Sequence, residues 1–496
     1  MSAIRSHFGS SAARAGPPHG AYWRAPGAPA RTPMAAVSGG ELLLPKVRHD
    51  DRAPGSPLTQ DIARHKCSAG EMPFYSAVFN LTNTIIGTGT LTMPFIFAQV
   101  GWLAGNVISV VVMLFTLFSA YLLVVASDNV GGDGARSFES LGYLCCGALG
   151  SVYAECTFIF GGLGTCTGYM IFIGQLIAQV TGLGVGQAYI PIMLAMLFIV
   201  VPLAWPRNIH ALRYTSVLAI VAILYVVVMY AYLWATIGRY NYPSHRDVYK
   251  EPHEITVSLL SVNSLNLLIG AYCVQNTCLP IYGELRCRSP KRMIGATACA
   301  MLVSFAVYEV IGLSGYFLFG GGVPSNSLLS LDEDFVIAHP WTKWARGVAK
   351  VLMSCSIALS VPLAIWPCRS AICSVIMRAR VGCLGPALGS ELASDGLFHG
   401  VTLVFLAIVT LLALLIPDVT IPLGLVNSLA GGSMIFVMPG LFYLGSLEKH
   451  RRFSWSSFHA FAMIAAGLAV CVLGFGLQLK SILHQFGTDG AGTNAS

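Results

Sequence analysis

Residues 79–95, which read FNLTNTIIGTGTLTMPF, form an apolar stretch that is interrupted in its own middle. Gly87 and Gly89 lower helix stability there, and Pro94 removes a backbone donor shortly afterwards. In lipid, unpaired backbone polar groups are tolerated only where protein covers them or where they line a cavity. A helix that breaks at membrane depth therefore predicts a binding site, because secondary transporters hold substrate and ion at discontinuous helices.

The composition is that of a membrane protein with many crossings. Hydrophobic residues make up 55% of the 496 residues and charged residues only 10%, whereas soluble domains carry about 25% charged residues. The net charge of +7 does not indicate a nucleic-acid partner, because the basic residues lie in short loops and in the N-terminal tail. The lipid bilayer is therefore the predicted environment, and no cofactor is expected apart from a coupling ion.

The 14 cysteines do not follow a pattern typical of disulfide-rich or metal-binding proteins. No Cys-x-x-Cys pair is present, and the two long outer loops at 238–256 and 320–343 contain no cysteine. We therefore predict no disulfide framework. Most of the cysteines are interpreted as small apolar residues that pack between helices.

Eleven apolar segments have roughly the length needed to cross a bilayer, which is about 20 residues. They lie near 74–97, 102–127, 148–181, 188–206, 214–237, 258–284, 294–319, 348–371, 397–416, 421–445 and 458–480. The third is too long for one perpendicular crossing, so we expect it to be tilted or to extend beyond the bilayer.

Loop charges predict the orientation of these segments. With the N-terminus in the cytosol, 22 of the 29 Lys and Arg residues fall on the inner side, as the positive-inside rule requires. The acidic run 332–334 then lies in an outer loop, and residues 482–496 form a short C-terminal tail. Lys350 and Arg369 lie near the two ends of the eighth segment. We expect the Lys350 side chain to extend to the membrane surface, and the Arg369 side chain to do the same or to bind lipid phosphate.

Residues 1–72 are rich in Ala, Pro, Gly, Ser and Arg and lack apolar periodicity, which predicts a disordered cytosolic tail. Two alternatives stay open. The tail is rich in Arg and has no acidic residue before Glu41, a composition similar to that of an organellar transit peptide. Alternatively, Met34 is the true start, and the residues before it are an over-extension.

The sixth segment repeats the pattern of the first. Residues 263–285 read NSLNLLIGAYCVQNTCLPIYGEL, with a polar run at 273–277 and Pro280 after it. Interrupted segments at corresponding positions of two halves are typical of inverted repeats with a site between them. We therefore predict an all-α transmembrane domain over 73–481, composed of repeats at about 74–237 and 258–445 and an extra helix at about 458–480.

Five motifs resemble the amino acid/auxin permease family in the family's order and spacing. They are FNLTNTIIGTGTL in the first segment, LPIYGELRCRSPKRM at 279–293, GYFLFG at 315–320, SVPLAIWPCRSAI at 360–372 and MIFVMPGLFYL at 434–444. Within the family, the chain looks most like the sodium-coupled neutral amino acid transporters and the vacuolar amino acid transporters. The resemblance implies a fold like that of the bacterial leucine transporter, with two inverted five-helix repeats. It also implies secondary transport in a plasma, vacuolar or lysosomal membrane.

An amino acid zwitterion needs partners of both signs. Backbone N–H groups at the start of a half-helix suit its carboxylate, and backbone carbonyls and side-chain oxygens suit its ammonium group. The predicted substrate contacts are Thr84, Gly87, Thr88, Gly89 and Thr90 in the first break, and Cys273, Gln275, Asn276 and Thr277 in the second. The alternative for Gly87 and Gly89 is that they only allow close helix packing.

The coupling ion is predicted to be Na⁺ or H⁺. The resemblance implies that Asn83 and Ser360 bind sodium, and Ser356, one turn earlier, can add an oxygen ligand. Glu309 and Glu155 weaken this assignment, because carboxyl groups at membrane depth often form proton relays. Alternatively, each of them is a carboxyl group kept neutral by a hydrogen bond or lying near water.

The second break also departs from the family pattern. The sodium-coupled branch usually has His-Pro-Glu-Val or a similar sequence before LPIY, and this chain has Gln275-Asn276-Thr277-Cys278. The substrate specificity of the sodium-coupled branch should therefore not be assigned directly to this chain. Neither broken segment carries an acidic residue at its break, which favours neutral amino acids over cationic ones.

Three functional classes were compared. A secondary active amino acid transporter accounts for both breaks. A nutrient-sensing receptor with the same fold, signalling through residues 1–72, is the alternative. An enzyme is not indicated, because the chain has no HExxH motif and no paired catalytic carboxylates.

Overall fold

The computed structural model describes residues 72–87, 89–131, 137–183, 187–206, 215–239, 252–256, 260–381, 393–416, 418–447 and 455–492. The predicted tail before residue 72 and the predicted substrate contact Thr88 lie outside these residues. All regular structure in the described residues is helical, apart from one β-bridge between Met72 and Leu285.

The principal α-helices are numbered in chain order. They are α1 (Phe74–Ile85), α2 (Gly89–Val100), α3 (Trp102–Asn129), α4 (Phe138–Val180), α5 (Tyr189–Ala204), α6 (Thr215–Ile237), α7 (Leu260–Ala271), α8 (Gln275–Glu284), α9 (Pro290–Phe319), α10 (Glu333–Ala338), α11 (Lys343–Val381), α12 (Asp395–Leu415), α13 (Thr420–Ser446) and α14 (Trp455–Gly492).

Eight of the described helices are long and apolar enough to cross a membrane: α3, α4, α6, α9, α11, α12, α13 and α14. The first and sixth predicted segments are instead each divided into two short helices, α1 with α2 and α7 with α8. The fourth predicted segment is the shorter apolar helix α5. The chain is therefore an all-helical, multi-pass membrane protein.

Two helices differ in length from the predicted segments. Helix α4 begins at Phe138, about ten residues before the expected start, and kinks at Gly147, where φ is 70°. This left-handed conformation suits glycine, which lacks a Cβ. Helix α14 continues to Gly492, beyond the end expected near residue 480.

Small residues allow the helices around the first break to pack closely. The ring of Phe97 on α2 fits between Gly105 of α3 and Gly312 of α9. A Cβ at Gly105 would lie 2.1 Å from this ring, and one at Gly312 would lie 2.4 Å from it. Because apolar burial does not drive association in lipid, such close contacts are the main source of helix packing energy.

The segment between α9 and α11 packs against α2 and α4. The amide of its buried Asn326 donates to Gln175 Oε1 at 3.2 Å. Lys350 is only 1% exposed and donates to Gln179 Oε1 and to the carbonyl of Leu331, both at 2.6 Å. The expectation that Lys350 extends to the membrane surface is wrong, because its side chain is buried and its two acceptors lie on this segment and on α4.

Arg369 is also buried, contrary to expectation. Its Nη1 donates to the carbonyl of Ala204 at 2.9 Å, and its guanidinium lies 3.9 Å from the centre of the Phe398 ring. These contacts join α11 to the end of α5 and the start of α12. The Arg369 guanidinium, which stacks on a ring and donates a hydrogen bond, therefore helps to hold the three helices together.

One cysteine differs from the prediction of no disulfide framework. Cys287, in the turn between α8 and α9, is disulfide-bonded. Eleven other cysteines of the described residues are free.

Glu155 forms a buried ion pair instead of facing the helix breaks. Its carboxylate pairs with Arg378 of α11 and accepts from Ser374 Oγ at 2.7 Å. Glu155 is 0% and Arg378 is 6% exposed. The pair therefore joins α4 to the C-terminal half of α11.

We expect Arg378→Met to lower the free energy of unfolding by about 3–5 kcal/mol, because it leaves the Glu155 carboxylate buried without its partner. The measurement is thermal unfolding of the purified protein in detergent. Arg380→Met is the matched control, since Arg380 is exposed on the same helix. Equal melting temperatures for the two variants would contradict the assignment.

Candidate functional site

The first break separates α1 from α2, and its two glycines have different surroundings. The chain leaves the helix after Ile85 and re-enters it at Gly89. A Cβ on Gly87 would meet no described atom within 4 Å, whereas one on Gly89 would lie 2.8 Å from the Cβ of Ala271. Gly87 therefore borders open space, and Gly89 allows α2 to approach the end of α7.

The second break lies slightly earlier in the chain than predicted. Helix α7 ends at Ala271, and only residues 272–274 are non-helical. The carbonyl of Val274 accepts from the N–H groups of Thr277 and Cys278, both at 3.2 Å. The predicted contacts Gln275, Asn276 and Thr277 therefore form the first turn of α8.

The Gln275 side chain is engaged by protein groups. Its Oε1 accepts from the Val274 N–H at 3.0 Å. Its amide nitrogen donates to Ser119 Oγ at 3.2 Å and to the carbonyl of Thr116 at 3.4 Å. A fully buried amide whose oxygen and nitrogen both have partners anchors α8 to α3, and we assign Gln275 this structural role.

The other predicted residues of the second break differ in their surroundings. The Cys273 thiol is half-buried within the non-helical residues. The Thr277 hydroxyl donates to the carbonyl of Val274 at 3.1 Å, within its own turn, and Asn276 is exposed. Of these side chains, Cys273 lies within the break itself.

Two oxygens of the first broken helix are buried without hydrogen-bond partners among the described residues. They are Oδ1 of Asn83 and Oγ1 of Thr90, which lie on either side of the break. Thr84, by contrast, donates to the carbonyl of Asn80 at 2.9 Å. Because buried polar groups are nearly always paired, Asn83 and Thr90 suit a ligand or ion.

The two serines predicted to bind sodium lie on α11. The Ser360 hydroxyl donates to the carbonyl of Ser356, one turn earlier, at 2.9 Å. Ser356 is 4% exposed. Both hydroxyl oxygens keep lone pairs that can accept a cation.

Tyr308 of α9 connects the two breaks. Its hydroxyl lies 2.5 Å from the carbonyl oxygen of Ile85 and 3.0 Å from that of Ala271. The backbone N–H of Gly87 faces the same hydroxyl. The last carbonyls of α1 and α7 therefore share one donor, supplied by a third helix.

Glu309 and its neighbours form a cluster of oxygens without standard hydrogen bonds. Both Glu309 carboxyl oxygens, the Tyr272 hydroxyl and the Ser109 hydroxyl are buried, and none makes a well-aligned hydrogen bond with a described residue. Tyr272 lies beside both Glu309 and Ser109, and Asn106 lies beside Glu309. Because Tyr272 belongs to the second break, this cluster is continuous with it.

Three residues near the breaks were not predicted from the sequence. Tyr308 lies between the breaks, Tyr169 of α4 lies beside Tyr308, and the Asn427 amide of α13 packs on Gly270. Asn427 begins a π-helical turn, a feature often found at functional sites. A buried tyrosine usually needs a hydrogen-bond partner for its hydroxyl, so a tyrosine inside an apolar segment was the feature of the sequence that could have indicated Tyr308.

The chain is similar in sequence to known membrane transporters. The family model described as "Transmembrane amino acid transporter protein" matches residues 71–478. Sodium-coupled neutral amino acid transporter 7 of Bos taurus is 25% identical over 417 residues, which cover 80% of this chain and 84% of the relative. The Rattus norvegicus protein of the same name is 24% identical over 454 residues, covering 87% and 89%.

Two solved structures share the fold. One is a Na⁺-coupled sialic acid symporter in a substrate-bound outward-open state, with 12% identity, a TM-score of 0.50 and coverage of 84% of this chain and 91% of that chain. The other is a nucleobase-cation-symport-1 family transporter with bromovinylhydantoin bound, in a closed conformation. It has 14% identity, a TM-score of 0.52 and coverage of 84% and 92%. At these identities the likeness concerns the fold alone.

The two glycines of the first break should respond differently to alanine. Gly89→Ala forces a Cβ against Ala271 and should lower the free energy of unfolding by about 1–3 kcal/mol, as overpacking usually does. Gly87→Ala meets open space and should leave the melting temperature in detergent unchanged. A reversed order of the two melting temperatures would contradict the packing described here.

Proposed function

The chain belongs to the transmembrane amino acid transporter family, and we propose that it is a secondary active transporter of neutral amino acids. Transport is coupled to a cation gradient and proceeds by alternating access. The observation that carries this proposal is the meeting of two helix breaks at Tyr308, where backbone groups of both signs converge. Such convergence at broken helices is the usual geometry of a secondary-transporter site.

The two breaks match the two ends of an amino acid zwitterion. The N–H of Gly87 and the start of α2 favour the carboxylate, because a helix N-terminus carries positive partial charge. The carbonyl oxygens of Ile85 and Ala271, at the ends of α1 and α7, favour the ammonium group. The half-buried Cys273 and the open space at Gly87 leave room for a side chain.

The distribution of acidic residues supports a preference for substrates with neutral side chains. Neither broken segment carries an acidic residue at its break, and a cationic side chain would need an acidic partner there. The mammalian relatives are likewise named as neutral amino acid transporters.

We propose that the chain crosses the membrane eleven times, with two inverted five-helix repeats, an extra helix and a cytosolic N-terminus. The pairs α1–α2 and α7–α8 then count as one crossing each, and α5 completes the set. The excess of Lys and Arg on the proposed inner side supports this orientation. The proposed location is the plasma membrane or a vacuolar or lysosomal membrane.

Two sets of groups compete to bind the coupling cation. Asn83 Oδ1, with Ser356 and Ser360, offers hard oxygens to Na⁺, and the unpaired state of Asn83 Oδ1 supports this choice. Glu309 offers a carboxyl group to H⁺ in a cluster without standard hydrogen bonds. Glu155 is left out of both sets, because its carboxylate is already paired with Arg378.

An amino acid-sensing receptor that signals through residues 1–72 is the alternative. The relatives are named as transporters, and their match covers most of the chain. Transport is therefore the preferred proposal.

Uptake of labelled amino acids into proteoliposomes tests this proposal. We expect saturable uptake that needs an imposed Na⁺ or pH gradient. Gly87→Trp should abolish uptake, because its ring fills the open space at the first break, while insertion into the membrane stays normal. Substrate binding without flux under either gradient would favour the receptor.

The coupling ion is identified by two matched variants in the same assay. If Na⁺ drives uptake, Ser360→Ala should raise the Na⁺ concentration needed for half-maximal uptake about tenfold, because one hard oxygen ligand is lost. If H⁺ drives uptake, Glu309→Gln should remove the response to the pH gradient and leave Ser360→Ala active. Unchanged ion dependence in both variants would contradict both assignments.

A further inference from the structure

The hydroxyl of Tyr308 has three backbone neighbours from two different helix breaks. It lies within donating distance of the Ile85 and Ala271 carbonyls, and the Gly87 N–H faces it. Tyr308 is 1% exposed, and its ring packs edge-on against Tyr272 at a centroid distance of 5.3 Å. The phenol therefore lies between the broken helices and is held on both sides.

These contacts resemble those that a zwitterionic substrate would make. The phenol oxygen accepts at Gly87, where a carboxylate would accept, and its O–H donates to the two helix-end carbonyls, where an ammonium group would donate. The Tyr308 hydroxyl and a bound amino acid cannot both form full-strength hydrogen bonds with all three of these backbone groups. The two are therefore in competition for the same backbone partners.

We propose that Tyr308 is an internal occupant of the substrate site, a positioning residue that joins the two breaks whenever an amino acid does not. This inference rests on the proposed function and deepens it. On substrate binding, the hydroxyl gives up some of its backbone partners to the zwitterion. When substrate leaves, the hydroxyl takes them back and keeps the helix-end carbonyls paired in lipid.

The proposed role of Tyr308 affects net uptake and exchange differently. Net uptake requires the carrier to return without substrate, so the helix-end carbonyls need Tyr308 during that step. Exchange of internal for external amino acid proceeds with substrate bound in both directions, so it does not need the phenol in that role. Losing the hydroxyl should therefore slow the return of the substrate-free carrier more than it slows exchange.

The test compares net uptake and exchange in proteoliposomes for Tyr308→Phe. We expect the ratio of net uptake to exchange to fall about tenfold, because buried carbonyls lose their donor only in the substrate-free carrier. Tyr316→Phe is the matched control on the same helix, since its hydroxyl accepts from the His253 N–H at 2.9 Å. That control should keep the wild-type ratio.

An equal fall in both modes, or an unchanged ratio, would overturn the proposal and leave Tyr308 a structural residue. Absence of both modes in the wild-type protein would instead overturn the proposed function.

If Tyr308→Phe does not fold, 3-fluorotyrosine incorporated at position 308 provides a second measurement. Its ¹⁹F resonance should shift when neutral amino acids are added, and the same label at position 316 should not respond. No shift at 308 in protein that transports would also overturn the proposal.

Discussion

The need to pair every backbone polar group in lipid is the constraint on which this structure depends. Two helices break at membrane depth, and their free ends must be covered by something other than water. The fold meets this need by placing the end of α1 against the end of α7 and by placing the Tyr308 hydroxyl between them. We propose that the same arrangement forms the substrate site, because N–H groups and carbonyls at the broken ends of two helices then lie side by side.

Buried polar side chains hold the surrounding helices in position. Gln275 anchors α8 to α3, and the Glu155–Arg378 pair joins α4 to α11. Lys350 joins the segment between α9 and α11 to the end of α4. These groups fix the frame around the breaks with hydrogen bonds that lipid cannot replace, while Asn83, Thr90 and the Glu309 cluster keep unpaired oxygens near the breaks.

The breaks themselves could be predicted from the sequence, because glycine and polar residues inside an apolar segment act locally. The position of the second break was harder to predict, since the start of α8 depends on Gln275 bonding to α3. The roles of Tyr308, Lys350 and Arg369 depend on acceptors more than a hundred residues away or on a folded loop. Hydropathy predicts how deep such a residue lies in the membrane, but it does not predict which carbonyl accepts a hydrogen bond from its side chain.

The most direct test of the central claim is the alkylation rate of Cys273 in the full-length protein, measured by mass spectrometry with and without neutral amino acids. Cys273 is a half-buried thiol within the second break, and Cys299 is an exposed thiol on α9 that serves as the internal control. If the two breaks form the substrate site, saturating amino acid slows alkylation of Cys273 and leaves Cys299 unchanged. Equal Cys273 rates with and without amino acid, in protein that transports it, would contradict the account.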